Sequence, residues 1–88
     1  MVRYRVTVSG RVQGVWFRES CRREAEAADV AGWVRNRSDG TVEAALEGDR
    51  PDVERVLDWM RHGPPRALVT AIDVTAEPPE HAVGFLVR

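Results

Sequence analysis

The residues best suited to chemistry in this sequence lie between Gly10 and Arg18, where two glycines are followed by an arginine. Glycine permits positive φ and lets a ligand approach the main chain without meeting a Cβ atom. If the segment turns from a strand into a helix, the N–H groups from about Gln13 onward converge with the helix N-terminus on one anion. Arg18, in the first helical turn, would add a planar, two-pronged donor. The pattern therefore predicts a site for a tetrahedral oxyanion.

A simpler interpretation of the same segment requires no ligand. The glycines would only allow a tight connection, and Arg18 would be a solvated helix residue. Two features weaken this interpretation. An arginine in the first turn opposes the helix dipole, which favours carboxylates there. The neighbouring Val15, Trp16 and Phe17 can also enclose a dry, concave site. From the residues alone, both interpretations stay open.

Composition limits the class of protein to which the chain can belong. With 88 residues, the chain is expected to form a single domain, residues 1–88, with one modest core. All 13 basic residues are arginine, which excludes a Walker P-loop and Schiff-base catalysis because both need lysine. The formal net charge of -1, with the two signs well mixed, argues against nucleic-acid binding.

The cysteine content and the hydropathy pattern bear on compartment and partners. Cys21 is the only cysteine, so no disulfide can form within the chain, as is typical of a reducing compartment. It falls on the apolar stripe of a predicted helix, so we expect a core residue rather than a nucleophile. No apolar run approaches the roughly 18 residues that span a bilayer, and Cys21, His62 and His81 lack metal-ligand spacing. We expect a cytoplasmic monomer that binds no metal, no nucleic acid and no membrane.

Hydrophobic periodicity predicts the elements that must hold the glycine segment in place. Strict alternation of apolar and polar residues indicates strands, and apolar spacings of three and four indicate helices. Asp39-Gly40 is a strong hairpin signal. Asp49 is a candidate N-cap for the second helix, and Gly63 its C′ residue. The first helix is predicted at residues 17–29, and the strands are predicted at residues 2–9, 30–37, 41–47, 67–76 and 83–87.

The predicted order is β-α-β-β-α-β with an additional terminal strand. Two right-handed split βαβ units in this order form the ferredoxin-like sandwich, which belongs to the α+β class. We therefore expect one antiparallel sheet with two helices on one face and a short extra C-terminal strand. Because many functions occur on this fold, the fold alone predicts none of them.

Several motifs resemble the acylphosphatase family. The run GRVQGVWFR, residues 10–18, is similar to the signature of that family. A second similar block is GWVRN at residues 32–36, followed by DGTVE at residues 39–43. Residues 63–65 and 85–88 are similar as well, so the resemblance extends over essentially the whole chain in the expected order.

This resemblance implies hydrolysis of acyl phosphates to a carboxylate and inorganic phosphate, without a metal or other cofactor. It implies that Arg18 binds the phosphoryl group, that Asn36 positions the attacking water, and that Thr41 helps to hold this asparagine. Gly10 is implied to support the binding loop from behind. The side-chain roles of Trp16 and Arg37 stay open, because the family varies at these positions. The resemblance also implies phosphoryl binding by the main-chain amides of Gln13, Gly14, Val15, Trp16 and Phe17.

Two other functions share this order of elements or this loop. An RNA-recognition module needs aromatic and basic residues on its third strand, whereas residues 41–47 (TVEAALE) carry two acids and no aromatic, which excludes it. A noncatalytic anion-binding or regulatory module needs the same cradle as a hydrolase, so the sequence leaves it open as the alternative. The sequence also leaves the physiological acyl phosphate open.

Overall fold

The periodic patterns of the sequence become five strands and two helices in a computed structural model that describes residues 1–88. Each helix has 11 residues, and neither is long and apolar enough to cross a membrane. The observed order confirms the predicted β-α-β-β-α-β arrangement and its extra C-terminal strand. In chain order the elements are β1 (Val2–Arg11), α1 (Phe17–Ala27), β2 (Ala31–Asn36), β3 (Val42–Gly48), α2 (Arg50–Met60), β4 (Leu68–Glu77) and β5 (Phe85–Val87).

The observed bounds differ by a few residues from the predicted ones, and the differences have local causes. The helix predicted at residues 17–29 ends at Ala27, because Asp29 adopts a left-handed φ of 58° that a helix cannot continue through. The last strand begins at Phe85 rather than at residue 83, since Gly84 turns the chain with a φ of 74°.

The strands lie in the order β4-β1-β3-β2-β5. β1 pairs antiparallel with both β3 and β4, and β2 pairs antiparallel with β3, but β5 runs parallel to β2. The sheet is therefore mixed, which corrects the expectation of a wholly antiparallel sheet. The strand directions explain the parallel pairing. β1 and β2 run in the same direction, since both are antiparallel to β3, and β4 runs opposite to them. When the chain reverses after β4, β5 runs in the direction of β2.

Both helices pack on the same face of the sheet and share one core. The Phe17 ring of α1 lies 5.3 Å from the Trp59 ring of α2, measured between centroids. Cys21 is fully buried, and burial raises the pKa of its thiol to about 12, so it is the core residue that the periodicity predicts. Strand residues that point into this core are Val6, Val8, Val34, Val42, Ala44 and Leu46.

The helix-free face of the sheet is covered by ion pairs and one aromatic ring. Arg3 and Glu47 are only 3% and 2% exposed. The Arg3 guanidinium donates to Glu47 Oε1 at 3.1 Å and to Glu77 Oε1 at 2.7 Å. The alternation of β1 predicted burial on one face only, and mutual pairing is what allows these charges to be buried on the other. Three guanidinium groups lie 4.7–5.5 Å from the centre of the Trp33 ring, those of Arg5, Arg35 and Arg88.

Candidate functional site

Strand pairing brings the glycine segment and Asn36 to the same edge of the sheet. Val42 of β3 pairs with Val8 of β1 on one side and with Asn36 of β2 on the other. Because β1 and β2 both run antiparallel to β3, they end at one edge, about 10 Å apart at the usual strand spacing. The loop of residues 12–16 leaves β1 at this edge and enters α1.

A cavity of about 370 Å³ opens at this edge, within the size range of small-molecule sites. It brings together Arg18 and Asn36, the residues that the resemblance assigns to the phosphoryl group and to the water. The side chain of Val15, whose amide belongs to the predicted set, is 7% exposed and packs in the core, so it anchors the loop without lining the cavity. The lining residues are Val12, Gly14, Trp16, Phe17, Arg18, Glu19, Asn36 and Val87.

The backbone of the loop alternates between left-handed and ordinary conformations. Gly14 has a φ of 74° and Trp16 a φ of 68°, whereas Val15 and Phe17 do not have positive φ. Such an alternation is typical of the backbone nests in which successive N–H groups turn to one side and can bind an anion. The amides of residues 13–17 donate to no other main-chain group, and α1 begins without a side-chain cap. These N–H groups are therefore available to a ligand at a helix N-terminus.

The Arg18 guanidinium is held at the cavity by the segment that follows β5. Its Nη1 donates to the main-chain oxygen of Arg88 at 2.9 Å, a contact between residues 70 positions apart that no local pattern predicts. A guanidinium has five N–H donors, so this bond leaves others for a ligand. Arg18 therefore keeps donors available in the cavity that Asn36 and Gly14 also line.

Glu19 also lines the cavity, and a free carboxylate there would oppose anion binding. Its Oε2 accepts a hydrogen bond from Arg22 Nε at 3.1 Å, and its Oε1 lies 3.5 Å from Arg23 Nε. The hydrogen bond from Arg22 lowers the pKa of Glu19, and Arg23 adds to the effect. The negative charge of Glu19 is thus paired with Arg22 and Arg23 and not with Arg18.

The side chain of Gln13 joins the loop to the β2–β3 hairpin, a role beyond the main-chain amide that was predicted for this residue. Its Nε2 donates to the main-chain oxygen of Arg37 at 2.7 Å and to that of Thr41 at 2.9 Å. Arg37 follows Asn36 directly, so these two bonds fix the loop relative to Asn36. The sequence around Gln13 does not predict these partners, because they lie more than 20 residues away in the chain.

Thr41 lies in the turn between β2 and β3, next to the cavity. The Thr41 hydroxyl and amide both donate to Asp39 Oδ1, at 2.6 and 3.0 Å. The Thr41 hydroxyl thus donates its proton to Asp39, and Thr41 stabilises the turn that follows Asn36.

Gly10 lies at a register shift in β1, where a Cβ atom would come within 2.1 Å of the main-chain oxygen of Leu68. Glycine there lets β1 and β4 approach each other directly before the loop.

The whole chain is similar to known acylphosphatases. The acylphosphatase family model matches residues 4–87. An acylphosphatase from Thermococcus kodakarensis is 52% identical over 86 residues, which cover 98% of this chain and 94% of that protein. One from Rubrobacter xylanophilus is 52% identical over 87 residues, covering 98% of this chain and 79% of that protein.

A solved structure agrees with these matches. The crystal structure of acylphosphatase from Bacillus subtilis has a TM-score of 0.97 to this chain at 39% identity, and the match covers 100% of this chain and 99% of that one. The fold and the matches together define an α+β hydrolase of ferredoxin-like architecture. The chain belongs to the acylphosphatase family, which confirms the resemblance of its motifs.

The contacts of Gln13 generate a stability prediction. Replacing Gln13 by alanine removes two hydrogen bonds that join the loop to the hairpin, and at roughly 0.5–1.5 kcal/mol each the free energy of unfolding should fall by about 1–3 kcal/mol. Urea denaturation measures this change. Gln13→Glu is the matched variant, because it keeps the length of the side chain but cannot donate to two carbonyl oxygens. If Gln13→Glu were as stable as the parent chain, donation by Gln13 would not be what joins the two segments.

Proposed function

We propose that this chain hydrolyses the carboxyl–phosphate bond of acyl phosphates, with the loop and Arg18 holding the phosphoryl group while Asn36 positions the water. The observation that carries the proposal is the meeting of Arg18, Asn36 and the uncapped loop amides at one cavity. We also propose that residues 1–88 act as one domain, because one core cluster includes residues of both helices and of the strands that hold the loop.

The positive charges at the loop would bind the phosphoryl group. In the transition state of phosphoryl transfer, negative charge is spread over three equatorial oxygens. The helix N-terminus contributes roughly half a positive charge, and Arg18 contributes a full one. Donors that are fixed before the reaction stabilise this charge without the reorganisation that water would need. The loop amides and the guanidinium therefore stabilise the transition state more than they stabilise the bound substrate.

The reaction needs no acid or base from the enzyme. A bond forms from the water oxygen to phosphorus while the bond from phosphorus to the acyl oxygen breaks. The acyl oxygen leaves as a carboxylate whose conjugate acid has a pKa of roughly 4, so it departs without a proton. The proton of the water passes late to an oxygen of the transferred phosphoryl group. Positioning supplies most of the catalysis in such a loose transition state.

The residues at the cavity agree with this chemistry. Asn36 cannot accept a proton at neutral pH, but its carboxamide can accept a hydrogen bond from water and orient the oxygen for attack. Neither His62 nor His81 is among the residues that line the cavity. Asn36 is therefore assigned to positioning and not to proton transfer.

Substrate class provides the first test. Purified protein should hydrolyse benzoyl phosphate and leave p-nitrophenyl phosphate essentially unchanged, because an alcohol or phenol leaves far less readily than a carboxylate. Both assays are run with and without EDTA, and the chelator should have no effect. Binding of inorganic phosphate without turnover of benzoyl phosphate would instead identify the noncatalytic anion-binding module.

Arg18 provides the second test. Arg18→Lys keeps the charge but loses the planar fork, so kcat/KM for benzoyl phosphate should fall by roughly 10³-fold, at the lower end of measured arginine contributions to phosphoryl transfer. Arg55→Lys is the matched control, since Arg55 is an exposed residue of α2 and does not line the cavity. Near-normal turnover by a folded Arg18→Lys protein contradicts the role of the guanidinium.

Asn36 provides the third test. Asn36→Ala should lower kcat by about 10²-fold, the order of loss expected when a reacting group is misplaced. Competitive inhibition by inorganic phosphate should change little, because the loop amides and Arg18 are still present. A large rise in KM with an unchanged kcat would show that Asn36 binds the substrate and does not position the water.

A further inference from the structure

Trp16 occupies an unusual place at the mouth of the cavity. Its residue surface is 72% exposed, although its side chain is the largest among the lining residues. It also lines a second, adjoining depression together with Glu19, Ser20 and Arg23. Trp16 therefore forms the wall between the phosphoryl site and the neighbouring surface.

The fold does not explain a tryptophan at this position. Trp16 is not part of the core cluster or of the partly buried residues packed against it. Its φ of 68° is a left-handed conformation that is costly for a bulky side chain and easy for glycine. An exposed indole in a strained conformation at a cavity indicates a role toward a ligand.

The direction of the reaction shows which part of the substrate meets this residue. The phosphoryl group lies against the loop amides and Arg18, and attack by water is in line with the departing acyl oxygen. The acyl group therefore lies on the side opposite to the water that Asn36 holds. Val87, which is 41% exposed, lines the same cavity, and so do Val12 and Phe17, which are only 1% and 2% exposed. The accessible apolar surface that an acyl group can meet at this cavity is therefore mainly that of Trp16 and Val87.

We propose that the indole of Trp16 binds the acyl group and makes the enzyme select acyl phosphates with an aromatic or extended apolar acyl group over small ones. The inference rests on the proposed hydrolysis of acyl phosphates. Aromatic rings prefer offset-stacked or edge-to-face contacts with one another. The indole face can make such a contact with an aromatic acyl group, whereas a methyl group is too small to cover it.

The expected size of the preference follows from aromatic pairing. Contacts between aromatic groups contribute about 0.5–1.5 kcal/mol beyond area burial, which corresponds to about 2- to 12-fold in a rate or binding ratio. Trp16 should therefore change the ratio of kcat/KM for benzoyl phosphate to that for acetyl phosphate by this factor. Hydrolysis of the carboxyl–phosphate bond itself should not depend on the indole.

The experiment compares this ratio in the parent chain and in three variants. Trp16→Gly removes the indole at a backbone conformation that glycine adopts without strain, and the ratio should fall about 2- to 12-fold. Trp16→Phe keeps an aromatic ring and should retain most of the preference. Leu86→Ala is the matched control, because Leu86 is 57% exposed and does not line the cavity. Its ratio should equal that of the parent chain.

The outcomes separate this inference from the function on which it rests. If the parent chain hydrolyses both substrates and Trp16→Gly leaves the ratio unchanged or raises it, the assignment of Trp16 is overturned and the proposed function stands. If the parent chain hydrolyses neither substrate, both are overturned. Should Trp16→Gly fail to fold, Trp16→Asn supplies the same comparison, since asparagine also tolerates the left-handed conformation. A fall in the ratio with Trp16→Asn supports the assignment, and an unchanged ratio overturns it.

Discussion

The pairing of β3 with two strands is the constraint on which the site depends. Val42 lies opposite Val8 of β1 on one side and opposite Asn36 of β2 on the other. A slip of one residue in either ladder would turn every side chain of that strand to the opposite face. Asn36 would then leave the face that carries α1 and Arg18. The arrangement of the candidate site therefore rests on register, and register rests on the buried Val42, Ala44 and Leu46 of β3.

The face without helices supports the site from the other side of the sheet. Glu47, buried in β3, accepts hydrogen bonds from the amides of Glu80 and Ala82 at 2.8 and 3.0 Å, besides its pairing with Arg3. These bonds fasten the segment between β4 and β5 to the centre of the sheet. β5 then pairs with β2, and the residue that follows it accepts a hydrogen bond from Arg18. A buried ion pair on one face is thus connected through the chain to the guanidinium on the other.

The proposed anion site depends on backbone conformation, because the loop offers few side-chain donors. Gly14 and Trp16 adopt left-handed φ on either side of Val15, whose side chain anchors the loop in the core. The main chain supplies the donors, the anchoring residue holds them still, and Gln13 ties them to the hairpin. Rigid donors of this kind need no rearrangement when charge develops on a ligand. The left-handed φ of Trp16 persists because Val15 and Gln13 anchor the loop before it and α1 begins directly after it.

The sequence by itself determined the order of elements, the shared core with Cys21 inside it, and the position of the glycine loop before α1. These features depend on periodicity and on turn residues, which act over a few positions along the chain. Only the tertiary structure decided the parallel pairing of β5, the burial of Arg3, and the partners of Gln13 and Arg18. Each of these is a contact between residues far apart in the chain. Whether such groups meet depends on strand direction and register, which a local pattern does not contain.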